Sequence, residues 1–190
     1  MLDSISSYDI KFVQKASQLI SDAFDFSLIY KFFTEPSGKT QRLKYIIRAE
    51  FHDDVIAVKF YAARDRKLED KYNRVINTYG YHGALRIFIT CASIIPELLK
   101  KYPNYSFVIN GASTIDLKTD KKEDHNSNQR FRIYRVLASQ IIGDQLFEHY
   151  QFKEVSSYLL VNKKDTPSIE DKKDRIRDML LDRYECQEVL

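Results

Sequence analysis

The chain has 190 residues, of which 44% are hydrophobic and 13% aromatic, with only five Gly and four Pro. This composition can fill a hydrophobic core and excludes a low-complexity or disordered chain. Because 30 Lys and Arg face 27 Asp and Glu, the net charge of +3 does not by itself indicate a nucleic-acid partner. The length predicts one domain over residues 1–165 with an appended C-terminal helix over 166–190.

The cysteine, histidine and hydropathy patterns indicate a reducing compartment and no metal site. Cys91 lies in an apolar run and Cys186 near the C-terminus, and neither forms a CxxC pair. The four His residues lack metal-ligand spacing. No run approaches the ~18 consecutive apolar residues of a membrane span, and Met1–Tyr8 has no basic flank typical of a secretory signal. We therefore expect a cytoplasmic protein without a membrane partner.

The N-terminal part predicts a helix followed by a strand. Ile10, Val13 and Ile20 recur at roughly helical spacing, which predicts a helix over residues 8–22. Residues 24–33 are rich in aromatic and β-branched side chains, which favours a strand.

A β-hairpin is predicted over residues 41–63, after a loop at 34–39 that contains Pro and Gly. Apolar side chains alternate with more polar ones in both arms, around the short polar turn at 52–54. The charged residues 64–71 predict a solvated loop, and residues 71–79 predict a further strand.

The second half alternates helices and strands. Residues 80–102 predict a glycine turn and a long apolar helix, with a kink or break near 92–96 because Pro96 lies inside it. The fold class is therefore α/β (α+β): a mixed sheet in which an antiparallel meander precedes α/β crossovers, with helices on both faces. The remaining predicted elements are a strand at 105–111, a charged loop at 112–126, a helix at 127–141, a turn or short strand at 147–152, a strand at 156–163 and an amphipathic helix at 168–187.

Residues 71–163 thus combine a strand, a glycine turn, a long helix, a strand, a second helix and a final strand. This order resembles the core of the GCN5-related N-acetyltransferase (GNAT) superfamily. Within it, residues 84–90, 107–111 and 130–134 are similar to small acetyltransferase-like proteins of phages and mobile elements. Many of those proteins have no assigned activity.

The resemblance implies acetyl-CoA as cofactor. In the family, a Q/R-x-x-G-x-G/A turn before the long helix holds the pyrophosphate on backbone N–H groups, as helix starts generally bind phosphate. The sequence departs from this pattern, because a histidine replaces the second glycine and a glycine follows it. The implied cofactor-binding residues are Gly80, Tyr81, His82, Gly83, Ala84 and Arg86.

The resemblance also implies catalytic residues. A family tyrosine on the second helix protonates the CoA thiolate, and Tyr134 lies where it is expected, although the Gly-Phe that should follow closely is missing. The family base is often a Glu on the strand before the glycine turn. Since residues 71–79 contain no carboxylate, Glu50 and His52 at the hairpin become the candidate bases. Tyr134 also fits a core tyrosine, and His52 a residue of an ordinary turn.

The basic residues around the helix at 127–141 allow two interpretations. They fit phosphate of CoA, RNA or DNA, or a solvated helix face with salt bridges. They are Arg130, Arg132 and Arg135, with Lys118, Lys121 and Lys122 in the preceding loop.

Three functions follow. The first is an acyl-CoA-dependent N-acyltransferase that acts on an amine. The second is a catalytically inactive module with the same fold that binds a protein or nucleic acid through its basic face or its tail helix, which could also form a homodimer. A toxin-like transferase acting on charged tRNA is a third. A V-shaped slot between strands 71–79 and 105–111 would favour a transferase, and a filled gap the binding module.

Overall fold

A seven-stranded mixed sheet organises the chain, in a computed structural model that describes residues 5–19, 22–36, 41–74, 80–116, 119 and 121–184. A further two-stranded ladder lies between the fifth strand and the third helix. The elements are β1 Lys11–Ser17, β2 Phe26–Phe33, β3 Lys44–His52, β4 Val55–Ala62, α1 Gly80–Ala92, α2 Ile94–Lys101, β5 Ser106–Asn110, β6 Ile115–Asp116, β7 Lys121–Lys122, α3 Gln129–Leu137, β8 Phe147–Phe152, β9 Ser157–Asn162 and α4 Ile169–Tyr184.

The large sheet has the order β1-β2-β3-β4-β5-β9-β8. Its first four strands form an antiparallel meander, and β9 pairs antiparallel with both β5 and β8. Only β4 and β5 are parallel neighbours, because α1 and α2 carry the chain back to the starting edge of β4. The predicted mixed α/β class is confirmed at this level.

The two faces of the sheet have different coverings. Alternate residues of β3 and β4, from Tyr45 to Phe51 and from Ile56 to Ala62, form the main core with α1, α2 and α3. We call this the inner face. On the outer face, Val55 and Ala57 pack with β5 and β9 side chains against Ile176 and Leu180 of α4. Helices therefore lie on both faces, as predicted.

The predicted helix at 8–22 is wrong, since its central residues form the edge strand β1. A β-bulge between Phe12 and Gln14 inserts Val13 into the strand. Such an insertion breaks the period of two, so the apolar residues at positions 10, 13 and 16 take a spacing that imitates a helix. Pairing with β2 and the contact of the Phe12 ring with Tyr30 decide the outcome. Residues 20 and 21 lie outside the described part of the chain.

The predicted strand at 71–79 is also wrong where it is described. Lys71–Asn73 form a single 3-10 turn, and Arg74 makes one isolated bridge to Ile115. Residues 75–79 lie outside the described residues.

The other predicted elements are confirmed over the residues that the structure describes, while residues 37–39, 117, 118, 120 and 185–187 of the predicted loops and tail helix lie outside them. The hairpin turns at Asp53 and Asp54, and the apolar helix breaks at Ser93, so that Pro96 stands in the first turn of α2 where proline is tolerated. The charged loop at 112–126 contains the short β6–β7 ladder, the helix at 127–141 ends in one π turn at Ala138–Ile142, and the tail helix packs on the sheet.

Residues Gly80–Lys101 form the one helical span in the described ranges that is long and apolar enough to cross a membrane. Half of the most apolar stretch of this span is buried inside the protein. Because the core helix of a globular domain has the same length and composition, this span is weak support for a membrane segment.

Gly111 lets the start of α3 approach the end of β5. Asn128 caps α3 by accepting a hydrogen bond from the Phe131 N–H at 2.9 Å, and its side-chain amide donates to the Gly111 carbonyl. A Cβ on Gly111 would lie 2.6 Å from Oδ1 of Asn128 and 2.8 Å from the Phe131 nitrogen. Both neighbours are held in place by the cap.

Gly111→Ala is therefore expected to lower the free energy of unfolding by about 1–3 kcal/mol, the usual cost of overpacking a fixed contact. Urea unfolding followed by circular dichroism measures this change. An unchanged midpoint would contradict the close approach of β5 and α3.

Candidate functional site

The parallel strands β4 and β5 separate partway along their length. They pair at only three positions, from Val55 opposite Ser106 to Ala57 opposite Val108, although β4 continues to Ala62. Beyond this point the two strands have no mutual pairing, which leaves a gap in the sheet.

Residues 71–74 occupy this gap. On the β4 side, the Tyr72 ring stacks edge-on against Tyr61 at 5.5 Å. On the β5 side, Nδ2 of Asn73 donates to the Ser113 carbonyl at 2.8 Å, and Arg74 forms its bridge to Ile115. The segment therefore spans from one separated strand to the chain that follows the other.

Arg130 of α3 binds this segment through its guanidinium group. Its guanidinium donates to the Tyr72 carbonyl at 2.6 Å and also to the Arg74 carbonyl, while it lies 5.7 Å from the centre of the Phe60 ring. Only 7% of Arg130 is exposed, and burial lowers its pKa. A cavity of about 10 Å³, the size of one water molecule, lies between this segment and the end of β4 and is lined by Tyr61, Arg74 and Arg130.

The glycine turn begins α1 in an open position. Gly80 has a φ of +64°, a conformation that favours glycine, and a Cβ there would have no neighbour within 4 Å. Tyr81 is 67% exposed and its ring contacts that of His82, while Gly83 and Ala84 are partly buried. The implied phosphate-binding residues from Gly80 to Ala84 thus lie together at the start of α1, and Arg86 lies in its second turn.

Arg86 is bound to other groups of the protein. It donates to the Ser6 carbonyl at 2.9 Å and to both carboxylate oxygens of Glu35, and its guanidinium stacks 4.0 Å above the Tyr8 ring. This arrangement anchors the N-terminal segment on α1 and commits three of the five guanidinium N–H groups of Arg86 to that segment and to Glu35.

Tyr134 lies on the inner face, between α3 and α1. Its ring contacts Phe88 at 5.3 Å, only 5% of the residue is exposed, and burial raises its pKa. Glu50 and His52 point to the outer face, because they alternate with Ala49 and Phe51 of the inner core along β3. The sheet therefore separates the proposed acid from the proposed bases.

Glu50 and His52 meet in a buried polar cluster below the end of α4. The Glu50 carboxylate, 3% exposed, accepts an ion pair from Nζ of Lys59 at 2.7 Å. The Tyr184 hydroxyl lies 3.3 Å from the same Nζ and 3.2 Å from Nε2 of His52. Nδ1 of His52 lies 3.2 Å from the Ala23 carbonyl. Sequence reasoning missed Lys59 and Tyr184, although period-two alternation along β4 places Lys59 beside Glu50.

The electrostatics of this cluster are those of a structural ion pair. Burial opposes the charged form of Lys59, but the Glu50 carboxylate outweighs this effect and raises the pKa of Lys59. Burial lowers the pKa of His52 to about 4, although Glu50 acts in the opposite direction. A general base for an amine needs a pKa near neutrality and access to substrate, and His52 is fully buried.

Three ion pairs hold α4 over this cluster. Arg183 donates to Asp25 at 2.7 Å and to Asp53 at 2.9 Å, and Arg175 pairs with Asp54 at 2.7 Å. The end of α4 is thereby tied to the tip of the β3–β4 hairpin.

The predicted basic helix does not form one surface. Arg130 points into the core, Arg132 donates to the Ser127 carbonyl, and Arg135 borders a separate cavity of about 610 Å³ beside the π turn. In that cavity His149 uses both ring nitrogens, with Tyr158 at 2.8 Å and the Gly143 carbonyl at 2.7 Å. Lys118 lies outside the described residues.

Within the described ranges, no group of three His, Cys, Asp or Glu side chains is placed to hold a metal ion. No family model, curated protein or solved structure matches this chain. The function must therefore be argued from the arrangement of its own residues.

Removing Lys59 tests the buried ion pair. Lys59→Met leaves the Glu50 carboxylate buried without its partner and is expected to cost about 3–5 kcal/mol of unfolding free energy. The double variant Glu50→Gln/Lys59→Met removes both charges and should recover much of this loss. Chemical denaturation of the three proteins measures the effect, and equal losses in the single and double variants would contradict it.

The buried His52 predicts a specific acid sensitivity. Between pH 6.5 and about 4, the unfolded chain binds a proton at His52 that the folded protein excludes. Stability is therefore present above pH 6.5 and falls as the pH decreases through this window, by at most about 1.4 kcal/mol per pH unit.

In His52→Gln, the part of the pH dependence of the unfolding free energy that comes from His52 should disappear. Urea unfolding at pH 7, 5.5 and 4 measures this dependence. The exposed His82→Gln is the control and should retain the slope. An identical pH dependence in His52→Gln and the parent would show that His52 is not the sensitive group.

Proposed function

We propose that this chain is a binding module with an acetyltransferase-like architecture that transfers no acyl group. The architecture is supported by the parallel β4 and β5, which part after three paired positions, by the glycine that begins α1, and by the crossover helices α1 and α3 on the inner face. The GNAT resemblance implies these features, except that it expects a strand at 71–79 where residues 71–73 form a turn.

The filled gap between β4 and β5 carries the proposal. In a transferase of this class, the gap receives the cofactor. Here Tyr72 and Arg74 stand in it, and Arg130 donates to the carbonyls of both residues. An acyl-CoA arm would have to displace a segment held by three hydrogen bonds, two from Arg130 and one from Asn73.

The placement of the proposed catalytic groups supports the same conclusion. Direct transfer requires acid and base within hydrogen-bond reach of one reacting centre. Tyr134 is buried on the inner face, whereas Glu50 and His52 are buried on the outer face. Glu50 is also committed to Lys59.

Isothermal titration with acetyl-CoA and with CoA tests the proposal. We expect no saturable heat at millimolar ligand. His82→Gly restores the glycine spacing of the family turn and is expected to remain without binding, because the obstruction lies in the gap and not only in the turn. Circular dichroism of both proteins controls for folding.

Stoichiometric binding of acetyl-CoA by the parent protein would overturn the proposal and favour the acyl-CoA-dependent N-acyltransferase. In that case, Tyr134→Phe would be expected to slow thioester consumption at an unchanged fold. Binding gained only by His82→Gly would show that the gap opens readily and would overturn the proposal in the same way.

A further inference from the structure

Part of the outer face has no helix over it in the described structure. α4 covers Val55 and Ala57 at the start of β4 and ends with Tyr184 above Glu50 and Lys59. The outward side chains of β1, of β2 from Ile29 to Phe33, of β3 from Lys44 to Arg48 and of β4 from Lys59 to Tyr61 remain partly or fully exposed, whereas Ser27 of β2 is buried. We call this area the open face.

The registers of the four strands place the open-face residues in three adjacent cross-strand rows. Neighbouring strands lie about 4.8 Å apart, so each row is continuous. Five positions are cationic, two are aromatic and none is acidic. The rows are Phe33 and Lys44; Lys11, Lys31, Ile46 and Tyr61; and Gln14, Ile29, Arg48 and Lys59.

Like charges stand directly opposite each other in two of these rows. Lys11 faces Lys31 across β1 and β2, and Arg48 faces Lys59 across β3 and β4. Such pairs destabilise a sheet. Glu50 compensates the second pair, at 2.7 Å from Lys59 and 3.9 Å from Arg48.

The first pair has much weaker compensation. Lys11 reaches the exposed Asp9 at 3.7 Å, while Lys31 and Lys44 have no carboxylate partner within the described part of the chain. A polyanion laid along the rows would remove this repulsion.

Aromatic rings flank the cations. Phe33, at the end of β2, is 37% exposed. The ring of Tyr61 makes a T-shaped contact with the ring of Tyr72, and Nζ of Lys71 lies 5.2 Å from the centre of the Tyr72 ring. Cations beside accessible rings on a sheet surface suit a chain that carries both phosphates and unstacked bases. A purely acidic peptide would use the cations but not the rings.

We infer that the open face binds single-stranded nucleic acid. The inference rests on the proposed function, for which it supplies the partner. Phosphates would lie along Lys11, Lys31 and Lys44, with bases against the rings of Phe33 and Tyr61.

Fluorescence anisotropy with labelled 20-nucleotide oligo-dT and oligo-rU tests this inference on the full chain. The logarithm of the association constant should fall with the logarithm of salt concentration with a slope of about −2, as three lysines that contact phosphates of a single strand predict. Lys31→Gln/Lys44→Gln should reduce the slope by about 1.4 and weaken binding roughly twentyfold at 0.1 M salt. Because the substitution also removes repulsion from Lys11, the thermal midpoint of the free protein should rise.

Two further variants are informative. One separates the contribution of charge to binding from that of base stacking, and the other distinguishes the open face from the basic residues of α3. Phe33→Leu should weaken binding roughly tenfold without changing the salt slope. Arg132→Gln/Arg135→Gln changes the net charge by the same amount on exposed positions of α3, and should leave the affinity within about twofold of the parent apart from long-range charge effects. Oligo-glutamate of matched length is the competitor.

Loss of binding in the α3 pair but not in Lys31→Gln/Lys44→Gln would overturn the inference, as would absence of binding at 0.05 M salt. Equal affinity for oligo-glutamate, with no effect of Phe33→Leu, would assign the face to an acidic protein instead. None of these results depends on acetyl-CoA, so failure here is distinguishable from failure of the proposed function.

Discussion

The strict alternation of side chains along β3 and β4 determines where every other part of the molecule goes. From Tyr45 to Phe51, every second residue enters the inner core, and the residues between them are placed on the outer face. A shift of one residue in pairing would exchange these two sets. It would bury Arg48 and Lys59 against α1 and α3. The register is therefore enforced by the cost of burying unpaired charge as well as by the gain from burying apolar surface.

This alternation also explains why chemistry-bearing residues that lie close in sequence do not form one active centre. Glu50 and His52 reach only what lies on the outer face, and α4 closes over them there. Tyr134 lies only on the inner face, because it belongs to α3, whose start is held against the end of β5 at Gly111. A common reaction centre would require one of these groups to pass through the sheet. The same separation leaves the outer face free to evolve as a binding surface without disturbing the core.

Sequence reasoning succeeded where one local pattern decides the structure. Period-two alternation defined the hairpin, and Pro96 indicated the break between α1 and α2. It failed at β1, where the bulge at Val13 removes the alternation and only pairing with β2 reveals a strand. It also failed at residues 71–74, whose turn is held by Arg130, 56 to 58 positions away. No local pattern reports a contact of that kind. The candidate residues Glu50 and His52 do share a site. The ion pair between Glu50 and Lys59 and the position of Tyr184 over that site depend on tertiary structure, so the sequence pattern did not predict them.

The ties between α4 and the hairpin tip have a consequence for the order of folding. Arg183 contacts residues 130 and 158 positions earlier, and Tyr184 closes contacts over 132 and 134 positions. Such distant contacts form late, because the loop-closure entropy must be overcome before they contribute. Until α4 docks, Glu50 and Lys59 remain hydrated on an exposed sheet surface. Docking of α4 therefore converts a solvated ion pair into a buried one.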